Sequence, residues 1–400
     1  MYNIIVIRPS DSIADLRKIM SDELYRGFLA HGCNAHLIDL ASPFCLDDFN
    51  RAVSTKVDFI FAFGQEAGAF CISDAPASNA LGIPCVSFFI DAPYLYSDRF
   101  ETKINNNIVT FMNKSQAKNF FKLCHTDYET SAVAFVPHAG ITTDDPFTEE
   151  QFNQRSKRIF YVGSFIEYKD KPWQTGKDPD FVKQFIDDVY ACINSSTDID
   201  EAILYVLNQR GLTLNKDALY FLAMYTFRTL YHYEHGLHRM QILNHLIENG
   251  YETDIYGVNY PDSYKKYAHV SVKGQIHFLD LLKNLNNYKL TINPYHQSRG
   301  GHERIFNALA NGCQCLGYKS SYYDEIFAGY EGVYFLPSKG DLTDSEIDKY
   351  IQQAVNETDF SAVKKTRQYV LDDHMWANRA KDVMDIFRLS QTKVVYTNNK

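Results

Sequence analysis

The chain has 400 residues, of which 45% are apolar and 22% charged, with 40 basic against 49 acidic side chains. That length is more than one hydrophobic core usually fills, so two globular domains are expected. A formal net charge of −9 repels phosphate backbones and anionic lipid, which argues against nucleic acid and leaves only peripheral membrane contact open.

The opening stretch MYNIIVIRPSDS has no basic n-region, and its apolar run spans only Ile4 to Ile7, so it reads as a buried strand rather than a leader. From Ser12 to Ala30 the apolar residues Ile13, Leu16, Ile19, Met20, Leu24 and Phe28 recur with a helical period. Ala35 to Leu40 reads as a second strand and Leu46 to Val53 as a short helix. Further strands are expected at Asp58 to Phe63, ending in Gly64, and at Cys85 to Ile90, ending at Asp91. Two more follow at Ile108 to Phe111 and Ala132 to Val136. Short apolar runs between helical periods predict a parallel sheet with helices on both faces.

Residues 1–141 are therefore expected to form a first domain, and the polar stretch 142–157 a linker. A second domain, 158–372, opens on a strand that ends in Gly163. Within it, about 180–235 reads as a helical insertion, and Leu237 to Asn249 as a separate helix stopped by Gly250. Strands are then expected at Glu252 to Tyr256, Val270 to Val272, Lys289 to Asn293 and Cys313 to Leu316. Helices at Phe278 to Leu285 and Glu303 to Ala310 lie between them, and 373–400 reads as a helix returning toward the first domain, with a polar tail. No stretch of 18 apolar residues occurs, so no membrane-spanning helix is expected. The eight cysteines are scattered; Cys313 and Cys315 would share one strand face as buried free thiols. These features suit a cytoplasmic protein.

In open parallel sheets, ligands bind beyond the carboxyl ends of the strands. The densest polar stretch at such a place is Asn293-Pro-Tyr-His-Gln-Ser-Arg-Gly-Gly-His-Glu-Arg304, between a strand and a helix. Gly300 and Gly301 would let backbone N–H groups approach an anion, and the helix start adds partial positive charge. Arg304 carries a guanidinium fork that matches phosphate oxygens. The alternative is an ordinary capped helix with Glu303 serving its dipole. Asp91 and His138 also follow strands and are candidate bases; Asp91 could equally cap the turn into Pro93, and His138 could serve packing. Glu66 is either an acceptor contact or a helix-start charge. Asp178 with Asp180, and Asp198 with Asp200, have the spacing of metal-binding pairs, but neither follows a strand; both read as solvated loop or helix-end charges, and no metal is expected. The aromatic cluster from Tyr225 to Tyr233 reads as a packing face.

The stretch Gly301-His-Glu-Arg-Ile-Phe-Asn-Ala-Leu-Ala-Asn-Gly312 resembles the donor-site element of GT-B glycosyltransferases, especially the spore-maturation CgeB-like group. Other features resemble that group in the same order: Phe89 to Pro93, Val136 to His138, Phe160 to Phe165, Asp254 to Gly257, Leu290 to Pro294 and His374 to Arg379. The resemblance covers most of residues 60 to 385. It implies two Rossmann-like, doubly wound α/β domains facing a cleft. It also implies metal-independent transfer of a sugar from a nucleotide-sugar to a hydroxyl on a glycan, lipid-linked glycan, protein or metabolite. Gly163 and Ser164 would face the diphosphate, with Tyr256 and Gly257 beside them. Asn293, His296, Ser298, Gly300, Gly301, His302 and Arg304 would hold sugar and phosphates, and Asp91, His138 and Glu303 are the catalytic candidates. One feature departs from the pattern. Retaining GT-B enzymes of the glycogen-synthase type carry two glutamates eight positions apart around this helix, and Arg299 and Asn307 stand there instead. A non-catalytic nucleotide-sugar sensor and a nucleotide-sugar epimerase are the competing readings.

Overall fold

The computed structural model describes residues 1–10, 16–64, 66–95, 103–124, 130–143, 145–167, 170–337 and 344–392. Their contacts divide into two compact units. The first takes the described residues of Met1–Phe121, Thr126–Pro137 and Trp376–Lys400, and the second those of Lys122–His125 and His138–Met375.

The first unit is built on strands β1 (Asn3–Arg8), β2 (Asn34–Asp39), β3 (Phe59–Phe63), β4 (Cys85–Phe89), β5 (Asn107–Phe111) and β6 (Thr130–Phe135). They form one six-stranded sheet in the order β2-β1-β3-β4-β5-β6, parallel throughout. Ile4 to Ile7 and all of Phe59 to Phe63 are buried. Such continuous apolar runs are what a sheet covered on both faces requires. Helices α1 (Leu16–Ala30), α2 (Cys45–Val53), α3 (Ala77–Leu81) and α4 (Lys114–Leu123) lie between the strands. The Ser12 and Ile13 end of the expected first helix lies outside the described residues.

The second unit repeats the plan. Helix α5 (Glu149–Gln154), which opens on a Thr148 capping box, leads into β7 (Ser156–Val162). Then come α6 (Pro172–Thr175), α7 (Asp180–Cys192), α8 (Ile199–Gln209) and α9 (Lys216–Glu248). Strands β8 (Thr253–Tyr256) and β9 (Val270–Gly274) lead to α10 (Phe278–Leu285), β10 (Tyr288–Ile292) and α11 (Glu303–Ala310). The unit closes with β11 (Gln314–Tyr318), α12 (Ser321–Ile326), β12 (Val333–Leu336), α13 (Asp344–Gln352) and α14 (Phe360–Asp373). Its sheet runs β9-β8-β7-β10-β11-β12, again parallel. The last helix, α15 (Trp376–Ser390), groups with the first unit. There it packs so closely on α1 that a Cβ on Gly27 would lie 2.9 Å from the Ala377 backbone.

One expectation fails informatively. The last part of the expected helical insertion and the expected separate helix from Leu237 are one continuous 33-residue helix, α9. Gly236 does not break it, although glycine costs about 1 kcal/mol in a helix interior. The residues flanking that glycine, Glu234, His235 and His238, are all buried, so tertiary packing outweighs the local preference. The far end of α9 packs Ile242, Leu243, Leu246 and Ile247 into the sheet core with Ile159, Ile255 and Leu290. The insertion is thereby rigidly joined to the second sheet. Among the described residues, no helix is long and apolar enough to cross a membrane.

Candidate functional site

In the second sheet the strand order reverses between the neighbours β7 and β10. Ligands bind outside the strand ends at such a switch point. Gly163 and Ser164 follow β7 there, and the loop from Asn293 follows β10. The turn after β7 is pinned: Gly163 N donates to Tyr256 O at 2.8 Å, and the Tyr260 hydroxyl donates to Gly163 O. Gly257, at φ +153°, passes so close that a Cβ there would sit 2.0 Å from Gly163 O. Tyr256 itself lays its ring against Phe160, 5.3 Å between centroids.

Two arginines converge on this turn. Arg304 Nη1 donates to Val162 O at 2.8 Å, and Arg239 Nη1 reaches Ser164 O at 3.4 Å. The buried Nε of Arg239 has no hydrogen-bond partner among the described residues. Burial, and then the charge of Arg304, push the pKa of Arg239 below its ordinary value. Two like charges brought to one half-buried turn repel each other, a cost that an anion between them relieves. Arg239 was not singled out from the sequence. The signal available was a stripe on α9, Tyr231, His235 and Arg239, spaced four apart and so on one helix face. That stripe meets the loop: the Tyr295 ring lies 3.9 Å from His235 and 4.2 Å from His302, centroid to centroid.

Glu303 opens α11 as expected, but it faces histidines. Its Oε2 lies 2.8 Å from His302 Nδ1 and 3.8 Å from His138 Nε2. Burial alone would raise its pKa; His302, His138 and Arg304 outweigh that and hold the carboxyl well below the usual range. His302 Nδ1 also lies 3.3 Å from Arg304 N. One ring nitrogen cannot accept from that amide and donate to a carboxylate at once. The shorter, charge-assisted contact to Glu303 prevails, so Nδ1 carries the proton. A carboxylate held this strongly anionic is a poor proton carrier, and its effect is to orient the two imidazoles.

The other expected residues divide. Asn293 is fully buried, and its Oδ1 has no partner among the described residues. Gly301 packs against tyrosines, where a Cβ would meet the Tyr322 and Tyr323 rings at 3.1 Å. Gly300 O accepts from Ser320 Oγ at 2.8 Å. Ser298 turns away from the strand end: its N donates to Asp198 Oδ1 at 2.8 Å and its Oγ to Asn194 O at 2.7 Å. Asp91 lies in the first unit, two residues past β4. Glu66, also there, pairs with Arg17. Arg299 pairs with Glu201, and Asn307 Oδ1 accepts from Ile141 N at 2.8 Å. Asp198 caps α8 in a box with Glu201, and Asp178 accepts from the Tyr225 hydroxyl at 2.6 Å. Cys313 and Cys315 are buried free thiols, and burial raises Cys313 to about 12.

His296 sits behind the loop, close to His238 and Ser298, and its burial lowers its pKa from 6.5 to about 4. Burial first, and then the charge of Arg239, hold His235 well below its ordinary value, against a hydrogen bond to the His296 backbone that favours the charged ring. The folded state therefore holds these rings neutral. For His296 the contribution is complete above the unfolded value near 6.5 and is lost as pH falls toward about 4. For His296 alone the loss is on the order of 3 kcal/mol once the pH is below that range. Urea unfolding across that pH range should show this acid limb, and His296→Gln should shrink it; an equally steep limb in the variant would refute the assignment.

Residues 239–385 match the family model described as glycosyl transferase-like. The match begins at Arg239 and spans the whole loop. Over 97% of this chain and 99% of the other, the fold is similar to sucrose-phosphate synthase from Thermosynechococcus elongatus, at 11% identity and a TM-score of 0.50. A glycosyltransferase from Rickettsia africae is similar over 98% of this chain and 99% of its own, at 10% identity and a TM-score of 0.50. This is the GT-B fold. No curated protein matches the chain. Within the GT-B fold the second unit carries most of the family match, up to Met375, and the arginine pair, the Glu303 histidines and Asn293 all lie inside that unit.

Proposed function

We propose that the chain is a cytoplasmic glycosyltransferase of the CgeB-like group, moving a sugar from a nucleotide-sugar to a hydroxyl acceptor. The observation that carries this reading is the pairing of Arg239 with Arg304 at the Gly163–Ser164 turn. In sugar transfer the acceptor oxygen bonds to the anomeric carbon as the bond to the diphosphate breaks. Negative charge then grows on the leaving diphosphate, and preorganised cations there lower the barrier. In this reading the two guanidiniums do the work of a divalent cation, so transfer is metal-independent. The acceptor's proton passes to a base, with His138 the candidate in the second unit and Asp91 in the first. Glu303 keeps His302 and His138 oriented toward the sugar.

A second reading, a nucleotide-sugar sensor without turnover, is favoured by one observation. Arg299 and Asn307 both spend their side chains on structural contacts. A thermal-shift panel of UDP-, GDP- and dTDP-sugars tests the first step, because a ligand bound only by the folded state raises Tm. A rise with one nucleotide family, together with slow release of the nucleoside diphosphate, supports the transferase. A rise without any release supports the sensor, and no rise with any member removes both.

A further inference from the structure

The loop between β10 and α11 is fastened on two sides. On one side α12 holds it: Ser321 N donates to Ser298 O at 2.8 Å, and Ser320 Oγ to Gly300 O at 2.8 Å. On the other side the contacts come from the turn before α8 and from α8 itself. Asp198 Oδ1 accepts from Ser298 N at 2.8 Å, and Asn194 O accepts from Ser298 Oγ at 2.7 Å. Glu201 Oε2 lies 2.6 Å from Arg299 Nε. The turn that presents these groups is closed on itself, since Asn194 and Thr197 exchange backbone hydrogen bonds at 3.2 Å. Four residues after Ser298 the chain reaches His302, Glu303 and Arg304.

We infer that the helical insertion is the positioning element of the donor loop, with Glu201 setting Arg299 and thereby the place of the His302–Glu303–Arg304 helix start. The inference rests on the reading of that loop as a donor site. Its physical basis is rigidity. The insertion ends in α9, whose far end lies in the sheet core and whose Tyr231–His235–Arg239 stripe faces the same loop. One rigid body thus presents Arg239 and, through Glu201, fixes the segment that carries Arg304. The separation between the two guanidiniums, which decides whether both reach one diphosphate, is then set by the insertion. Glu201 and Asp198 are positioning residues and do not touch the reacting atoms.

Glu201→Gln is the discriminating change. Glutamine keeps the capping box at the start of α8, where Asp198 N donates to Glu201 Oε2, and removes only the charge facing Arg299. Hydrogen exchange by mass spectrometry should quicken in peptides covering 293–304 and stay unchanged over β7 and β10. Calorimetry with UDP, GDP and dTDP should show the diphosphate bound by the wild type weakened about three- to tenfold, as for a half-exposed ion pair coupled to a ligand. The double exchange Glu201→Arg with Arg299→Glu should restore both in part, since it re-forms the ion pair while giving up the Asp198 N–H cap bond, and a general loss of stability would not allow that recovery. Unchanged exchange over 293–304 and unchanged affinity in Glu201→Gln would overturn the inference, as would quickened exchange throughout the second unit. If the wild type binds none of the three diphosphates, the donor-site reading falls. The exchange measurement and the double exchange then still decide whether the insertion positions the loop.

Discussion

Arg239→Ala is expected to weaken nucleoside diphosphate binding about a hundredfold, since a charged hydrogen bond out of water contributes about 1.5–3 kcal/mol and more when desolvated. Arg304→Ala should act similarly, and Arg239→Lys should recover only part of the loss, because an ammonium has the charge without the fork. The same change should not unfold the protein. Burial and Arg304 both push the pKa of Arg239 down, so the unliganded protein holds that charge at a cost. Removing it relieves repulsion while giving up one long hydrogen bond, 3.4 Å to Ser164 O. Calorimetry with UDP, GDP and dTDP, set beside Tm of the free variants, separates the two effects. Wild-type affinity in both alanine variants would remove the arginine pair from the site. Glu303→Ala should weaken binding too, because it frees His302 and His138 from their shared carboxylate.

Gly257→Ala is the largest expected loss of stability, about 4 kcal/mol or more. Two costs add. At φ +153° a side chain is strained whatever the space, and the new Cβ would sit 2.0 Å from Gly163 O and 2.6 Å from Gly163 C. Those are backbone atoms, tied by Gly163 N to Tyr256 O and by Tyr260 to Gly163 O, so they cannot yield cheaply. If they do yield, the turn that faces Arg239 moves, and ligand affinity falls with stability. Gly274 is the control: it has φ +83° but nothing within 4 Å of an added Cβ. Gly274→Ala should cost only the backbone preference, about 1–2 kcal/mol. Urea unfolding of both variants checks the contrast; equal losses would show that the close approach to Gly163 is unimportant.

Which parts were legible from the residues follows from the range of the forces involved. Apolar runs such as Phe59 to Phe63, and the glycines that end β7 and β8, are dictated by local periodicity and turn chemistry. They place the parallel strands and the loop after Asn293 within a residue or two of their positions. The strand Val333–Leu336 and the helix Ser321–Ile326 were missed because each is short and lacks a periodic pattern long enough to read. Gly300 and Gly301 suggested an anion cradle, but the Gly301 Cβ position is closed by two tyrosines some twenty residues on, which no local pattern reveals.

The sequence by itself determined the two parallel α/β units and the address of the candidate site, because hydrophobic period and glycine placement act over a few residues. Tertiary structure alone decided what that site contains. Arg239 reaches Ser164 across 75 positions of chain, Arg299 reaches Glu201 across 98, and Glu303 meets a histidine from before the second sheet begins. Charges couple through space and burial, and neither is written in the spacing of residues along the chain.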